Sequence, residues 1–182
     1  MKAATNPAFG SFSNPITRRS RSKNKHYQQK RILQTDMAKN SKSIEEQVED
    51  WCKKQFKGQK YYTKTEAVNA EIASALEKAP SKQGGAGKNF PDLKCLLTAD
   101  DGKRIPVMIE VKGRKGYLIK TSESGEVDNF NKKGEPNYQN IAKYAVNGAV
   151  HYAYAILNYT ETYKEVVAIG VNGYAQTGGG NC

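Results

Sequence analysis

From residue 43 onward the apolar positions recur with a spacing that switches between helical and extended. Ile44, Val48, Trp51, Cys52 and Phe56 repeat at three- and four-residue steps, which predicts a helix over 43–56 with Trp51 as its core anchor. Ser43 followed by Glu46 is a capping-box pattern for its start, and Gly58 stops it. Ala67, Ile72, Ala75 and Leu76 supply the stripe of a second helix, opened by Thr63 or Thr65 and closed by Pro80. Three extended runs follow: 92–98, ended by Asp100-Asp101-Gly102; 105–111, ended by Gly113; and 117–121. Residues 122–136 are polar and read as a loop. Ile141, Tyr144, Ala145, Ala149, Tyr152 and Ile156 mark a long helix over about 138–158, and 166–171 is a fourth strand.

The resulting order is helix, helix, three strands, helix, strand. It predicts an α/β fold in which a mixed central sheet is flanked by helices, with a helical crossover before the last strand. The glycine-rich stretch 84–87 contains no GxxxxGK[ST] pattern, so it reads as a surface loop and not as a phosphate-binding P-loop.

Charge changes the picture at one end only. The chain carries 29 Lys or Arg against 18 Asp or Glu, a net charge of +11. Residues 1–42 hold ten of those bases and the single acid Asp36, so the remainder is nearly balanced. With no apolar periodicity, 1–42 reads as a basic disordered tail; it suits a polyanionic partner or simple solvation. Met37 lies at its end and is a candidate native start. Residues 176–182 are glycine-rich and read as a linker or a cut edge.

Cys52, Cys95 and Cys182 are odd in number and lack CxxC spacing, which argues against a disulfide framework or a zinc site and for a reducing, cytoplasmic setting. No apolar run approaches the roughly 18 residues of a membrane span, so no membrane partner is expected.

Candidate chemistry sits between Phe90 and Gly113. Strand alternation puts Val107, Ile109 and Val111 on one face of the second extended run, and Met108, Glu110 and Lys112 on the other. In an antiparallel hairpin the start of the preceding strand lies beside the end of this one, which brings Asp92 towards Glu110 and Lys112. Two carboxylates with few other protein ligands suit Mg²⁺, with Mn²⁺ as the alternative. A lysine beside them could orient or deprotonate a water, or stabilise charge building on a phosphate. The spacing alone describes equally well a solvated Glu–Lys pair. Lys82 and Lys88, and Lys94, Arg114, Lys115 and Lys120, are candidate backbone contacts by position. Gln139, Lys143 and Asn147 on the long helix are candidates to face the site, whereas His151 reads as a packing or surface residue.

Phe90-Pro91-Asp92, then seventeen residues, then Glu110-Val111-Lys112 resembles the motif of the PD-(D/E)XK nuclease superfamily. The resemblance implies a restriction-endonuclease-like core spanning 43–175. It also implies Asp92 and Glu110 as Mg²⁺ ligands with the Val111 carbonyl, Lys112 as the residue that assists the attacking water, and a further carboxylate from the preceding helix. Glu71 is the choice for that carboxylate and Glu66 the second.

At finer grain, Tyr61-Tyr62-Thr63-Lys64-Thr65-Glu66, Asn69-Ala70-Glu71-Ile72, Ala79-Pro80-Ser81-Lys82 and 144–153 resemble the N-terminal nuclease region of restriction–modification polypeptides, in which an adenine methyltransferase and a target-recognition domain follow. That implies Mg²⁺-dependent endonucleolytic cleavage of double-stranded DNA, with a methyltransferase or specificity domain or subunit as partner and a homodimer among the assemblies it allows. The chain holds no methyltransferase motif, so it is expected to be a fragment or a stand-alone relative. A non-catalytic DNA-binding module on the same fold and a junction-resolving nuclease are the competing readings.

Overall fold

Helix α1 (Ile44–Gln55) begins where the sequence places it. The Ser43 side chain accepts from the Glu46 amide, and the Glu46 carboxylate accepts from the Ser43 amide. The computed structural model describes residues 42–173. The expectations for the basic tail and for the glycine-rich end therefore lie outside the described residues.

After α1 come β1 (Tyr61–Thr63), α2 (Ala70–Lys78), β2 (Leu93–Thr98), β3 (Arg104–Lys112), α3 (Tyr138–Lys143), α4 (Ala145–Tyr159) and β4 (Val167–Asn172). The strands form one mixed sheet in the order β1-β2-β3-β4. The pairs β1–β2 and β2–β3 are antiparallel and β3–β4 is parallel. A mixed sheet flanked by helices, an α/β fold, is thus what the chain forms.

Both faces of β3 are covered. Val107, Ile109 and Val111 pack with Leu93, Cys95 and Cys52 of α1, and Val48 and Phe56 close that layer. Cys52 and Cys95 are free thiols. On the opposite face Met108 packs with Ile72, Ala75 and Leu76 of α2 and with Tyr152, Ala155 and Ile156 of α4. The alternation along β3 is as the sequence suggests, but its second face is no solvated surface.

Four expectations need correction. Tyr61–Thr63 is a strand, and α2 starts only at Asn69, whose side chain accepts from the Ile72 amide. Residues 117–121 form no strand in the sheet. Their carbonyls at Tyr117 and Leu118 instead accept from the Ala145 and Val146 amides, so this segment caps α4. The long helix is two helices, because Tyr144 is extended (φ −107°, ψ 140°). Trp51 is no core anchor: it is 56 % exposed, since Val48 and Cys52 already fill the face of α1 that meets the sheet.

Glycines set how closely the layers approach. A Cβ on Gly170 would lie 2.4 Å from the Val146 amide nitrogen, and one on Gly113 would lie 2.4 Å from the Glu45 amide nitrogen. Neither position could approach its helix start so closely with a side chain present.

Candidate active site

The turn between β2 and β3 fixes the register. Leu93 pairs with Ile109, so continuing by one residue sets Asp92 opposite Glu110. Pro91 and Asp92 are both buried, and Asp92 is 2 % exposed. Its Oδ2 accepts from the Val111 amide at 2.6 Å, and its Oδ1 pairs with Lys64 Nζ at 2.7 Å. The N–H and C=O of one strand residue face the same neighbour, so the Val111 carbonyl also faces the Asp92 side.

Glu110 is fully buried. Its Oε1 accepts from Lys112 Nζ at 2.7 Å and from Lys82 Nζ at 2.5 Å, and its Oε2 accepts from the Tyr152 hydroxyl at 3.2 Å. Gly148 of α4 leaves room for it, since a Cβ there would stand 3.2 Å from Glu110 Cγ. Lys82 reaches Glu110 because the Asn89 amide donates to the carbonyls of Leu76, Ala79 and Pro80, which turns the chain sharply after α2.

The electrostatics follow from this packing. Burial pulls the Lys112 ammonium down, but the charge and hydrogen bond of Glu110 outweigh it, so its pKa lies above the ordinary lysine value. Lys64 is raised in the same way against burial, by Asp92. Burial, then the charges of Glu110 and Asp92, push the Tyr152 phenol far upward, so it stays neutral and donates. Two buried carboxylates therefore lie among three lysines and one phenol, on the face of the sheet that carries α2 and α4.

The structure brings Asp92, Glu110 and Lys112 together. It does not bring Glu71 to them. The Glu71 carboxylate accepts from the Glu161 and Thr162 amides, at the opposite end of α2 from the turn that delivers Lys82. Glu66 also stays apart, accepting from the Thr63 amide and hydroxyl. Among the described residues no group of three His, Cys, Asp or Glu side chains is placed to hold a metal ion. A cation at this end of the sheet would rest on two carboxylates and a carbonyl, an oxygen-only set suited to a hard ion that keeps several waters.

Other candidates have defined places. Lys94 is buried and donates to the carbonyls of Thr63 and Lys64, so it is not available to a phosphate. Asn147 is buried and clamps the Lys120 backbone, accepting from its amide and donating to its carbonyl. His151 Nε2 lies 2.9 Å from the Pro80 carbonyl, consistent with a packing role, and burial lowers its pKa. Sequence reasoning missed Lys64 and Tyr152 as members of the cluster and gave Lys82 only a generic surface role. Their partners are 28 to 42 residues away in sequence, beyond the reach of any local pattern.

Comparison with known proteins gives one informative likeness. Over 112 residues, 62 % of this chain, the sequence is 67 % identical to the type II restriction enzyme and methyltransferase RM.BcgI of Heyndrickxia coagulans. The match spans 16 % of that protein's length. No family model matches the chain, and no solved structure matches it. Among the described residues no helix is long and apolar enough to cross a membrane.

Proposed function

We propose that residues 43–175 form the DNA-cleaving domain of a restriction–modification system, with a PD-(D/E)XK nuclease core acting on double-stranded DNA. The observation that carries this reading is the convergence of buried Asp92 and Glu110 with half-buried Lys112 at one end of the sheet. The likeness to a restriction enzyme and methyltransferase supports it and makes a methyltransferase and specificity region the natural partners.

Asp92, Glu110 and the Val111 carbonyl would hold magnesium. The bound ion supplies polarisation of a phosphoryl oxygen and acidification of a water. Lys112 would orient or deprotonate the attacking water, or stabilise the charge that develops on phosphate. Tyr152 holds Glu110 Oε2 in place through its hydroxyl, and Lys64 balances the charge of Asp92. Lys82 shares Glu110 Oε1 with Lys112, which leaves either ammonium free to turn towards a phosphate while the other stays bound.

Plasmid cleavage by the wild-type chain and by Lys112→Ala, each with Mg²⁺ and with EDTA, tests the reading. Cleavage is expected only for the wild type with Mg²⁺. Equal activity in all four reactions removes it. Binding without cleavage would favour the non-catalytic module, and a preference for branched over linear DNA would favour a junction-resolving nuclease.

A further inference from the structure

The cations near the candidate site fall into two groups. Lys64, Lys82 and Lys112 are each paired with Asp92 or Glu110. Among the described residues, Arg114 and Lys143 have no carboxylate within ion-pair distance. Both instead lie against the ring of Tyr117: the Arg114 guanidinium carbon is 5.3 Å from its centroid and Lys143 Nζ is 5.1 Å from it. Arg114 also donates to the Tyr117 hydroxyl at 3.1 Å, and Lys143 lies 5.2 Å from the Tyr144 ring. An aromatic face steadies a cation without neutralising it. The Tyr117 platform is itself fixed, because its carbonyl accepts from the Ala145 amide at the start of α4.

Arg114, Tyr117 and Lys143 line a cleft of about 450 Å³ that also contains Lys112, Gly113 and Ser43. Its walls carry three cations and one carboxylate, Glu45. Lys112 belongs to both the cleft and the candidate active site, so an anion seated in the cleft lies beside the chemistry. Unneutralised cations in a groove continuous with a phosphate-directed site call for a second phosphate, and a guanidinium offers the fork that grips one with two parallel bonds.

We propose that this cleft seats a backbone phosphate of the substrate strand, neighbouring the one attacked, with Arg114 as its bidentate ligand, Lys143 as a second cation and Tyr117 as the residue that positions both. The proposal rests on the nuclease reading for the identity of the substrate strand, but its binding test does not require cleavage.

The test compares the full chain with the double variant Arg114→Gln/Lys143→Gln and with Lys132→Gln/Lys133→Gln, which removes the same charge from an exposed turn outside the cleft. Affinity for a short duplex is measured in EDTA by fluorescence anisotropy over a range of salt concentrations, with thermal unfolding as the folding control. The cleft variant is expected to bind about tenfold more weakly at moderate salt, and its plot of log affinity against log salt should be shallower by about 2, one for each lost cation. The turn variant should change much less. Arg114→Lys should fall between wild type and the double variant, because it keeps the charge and loses the fork.

Equal losses in the two double variants, or no loss in the cleft variant, overturn the proposal. Full retention by Arg114→Lys overturns the bidentate role. A parallel plasmid assay in Mg²⁺ separates the two readings. A chain that cleaves while the cleft variant binds and cuts like wild type loses only this proposal. A chain that never cleaves loses the nuclease reading, whereas the binding arm still decides on the cleft.

Discussion

Two lysines lie on the same face of neighbouring strands and meet opposite fates. Lys94 on β2 is 3 % exposed, and its ammonium donates to two backbone carbonyls, those of Thr63 and Lys64, at 2.8 and 2.9 Å. Burial holds its pKa below the ordinary value, and the charges of Glu66 and Asp92 offset this only in part. Lys112 on β3 is also mostly enclosed, but a carboxylate oxygen of Glu110 lies 2.7 Å away, and its pKa is raised in spite of burial. Burial alone therefore does not decide what a lysine does. The Lys94 region is a strut that ties the end of β1 and the following turn to β2. The Lys112 region is a cluster in which three lysines share two buried carboxylates.

The sharpest way to break this division is to remove each lysine in turn. Lys112→Ala should lower Mg²⁺-dependent plasmid cleavage by about 10²–10³-fold, the scale expected when one transition-state donor is lost. Its fold should survive. Lys94→Met should instead lower unfolding stability by about 1–3 kcal/mol, because two carbonyls lose their donor. Denaturant unfolding measures this, and cleavage should follow the folded fraction. If Lys94→Met stays as stable as wild type yet is as inactive as Lys112→Ala, the two lysines do not differ as described.

Asp92 sharpens the comparison, since it serves both regions. Asp92→Ala removes the acceptor of the buried Val111 amide and should cost about 1–3 kcal/mol in denaturant unfolding. Asp92→Asn keeps an oxygen for that amide and should cost less. Both should lose cleavage, so stability separates them where activity does not.

The smallest effect is expected at Glu71, a carboxylate bound with no lysine at all. Bonds from the Thr162 backbone and side chain, and then from the Glu161 backbone, hold its pKa below the ordinary glutamate value. A depressed carboxylate stabilises the fold above its unfolded pKa, and that contribution is lost as pH falls through the folded value. The small midpoint difference between wild type and Glu71→Gln should thus be present at neutral pH, shrink as pH falls below the ordinary glutamate value of about 4.3, and vanish below the folded value. Cleavage should be unaffected; a loss comparable to that of Lys112→Ala would return Glu71 to the site.

What the sequence made legible was whatever its local pattern could carry. Ser43 and Glu46 announce α1, and the alternation along 105–111 sorts Val107, Ile109 and Val111 from Met108, Glu110 and Lys112. Thr63 and Glu66 carry the same spacing as Ser43 and Glu46, and Glu66 does bind back to Thr63, yet no helix follows. The helix waits for Asn69, and Tyr61–Thr63 pairs with β2 instead. Three residues are too few for periodicity to distinguish. Residues 117–121 are apolar enough in sequence to resemble a strand, but the partners of Tyr117 and Leu118 are helix amides. In the site, neighbours on one strand were readable, and contacts from Lys64, Lys82 and Tyr152 were not, since each depends on how the layers stack.

The clamp at Asn147 has a consequence for how this chain tolerates change. Its side chain grips Lys120, its amide group also reaches the Asp128 carbonyl, and its own carbonyl accepts from Asn129. Lys120 and Asp128 are in turn joined across the base of the turn at 122–126. The excursion is therefore knotted shut where it leaves the body, and its tip is mechanically insulated from α4. Lengthening a closed loop costs little free energy. The tip at Ser124 and Gly125 is thus a socket where natural variation, or an engineer's graft, could add chain without disturbing the Asn147 clamp on α4.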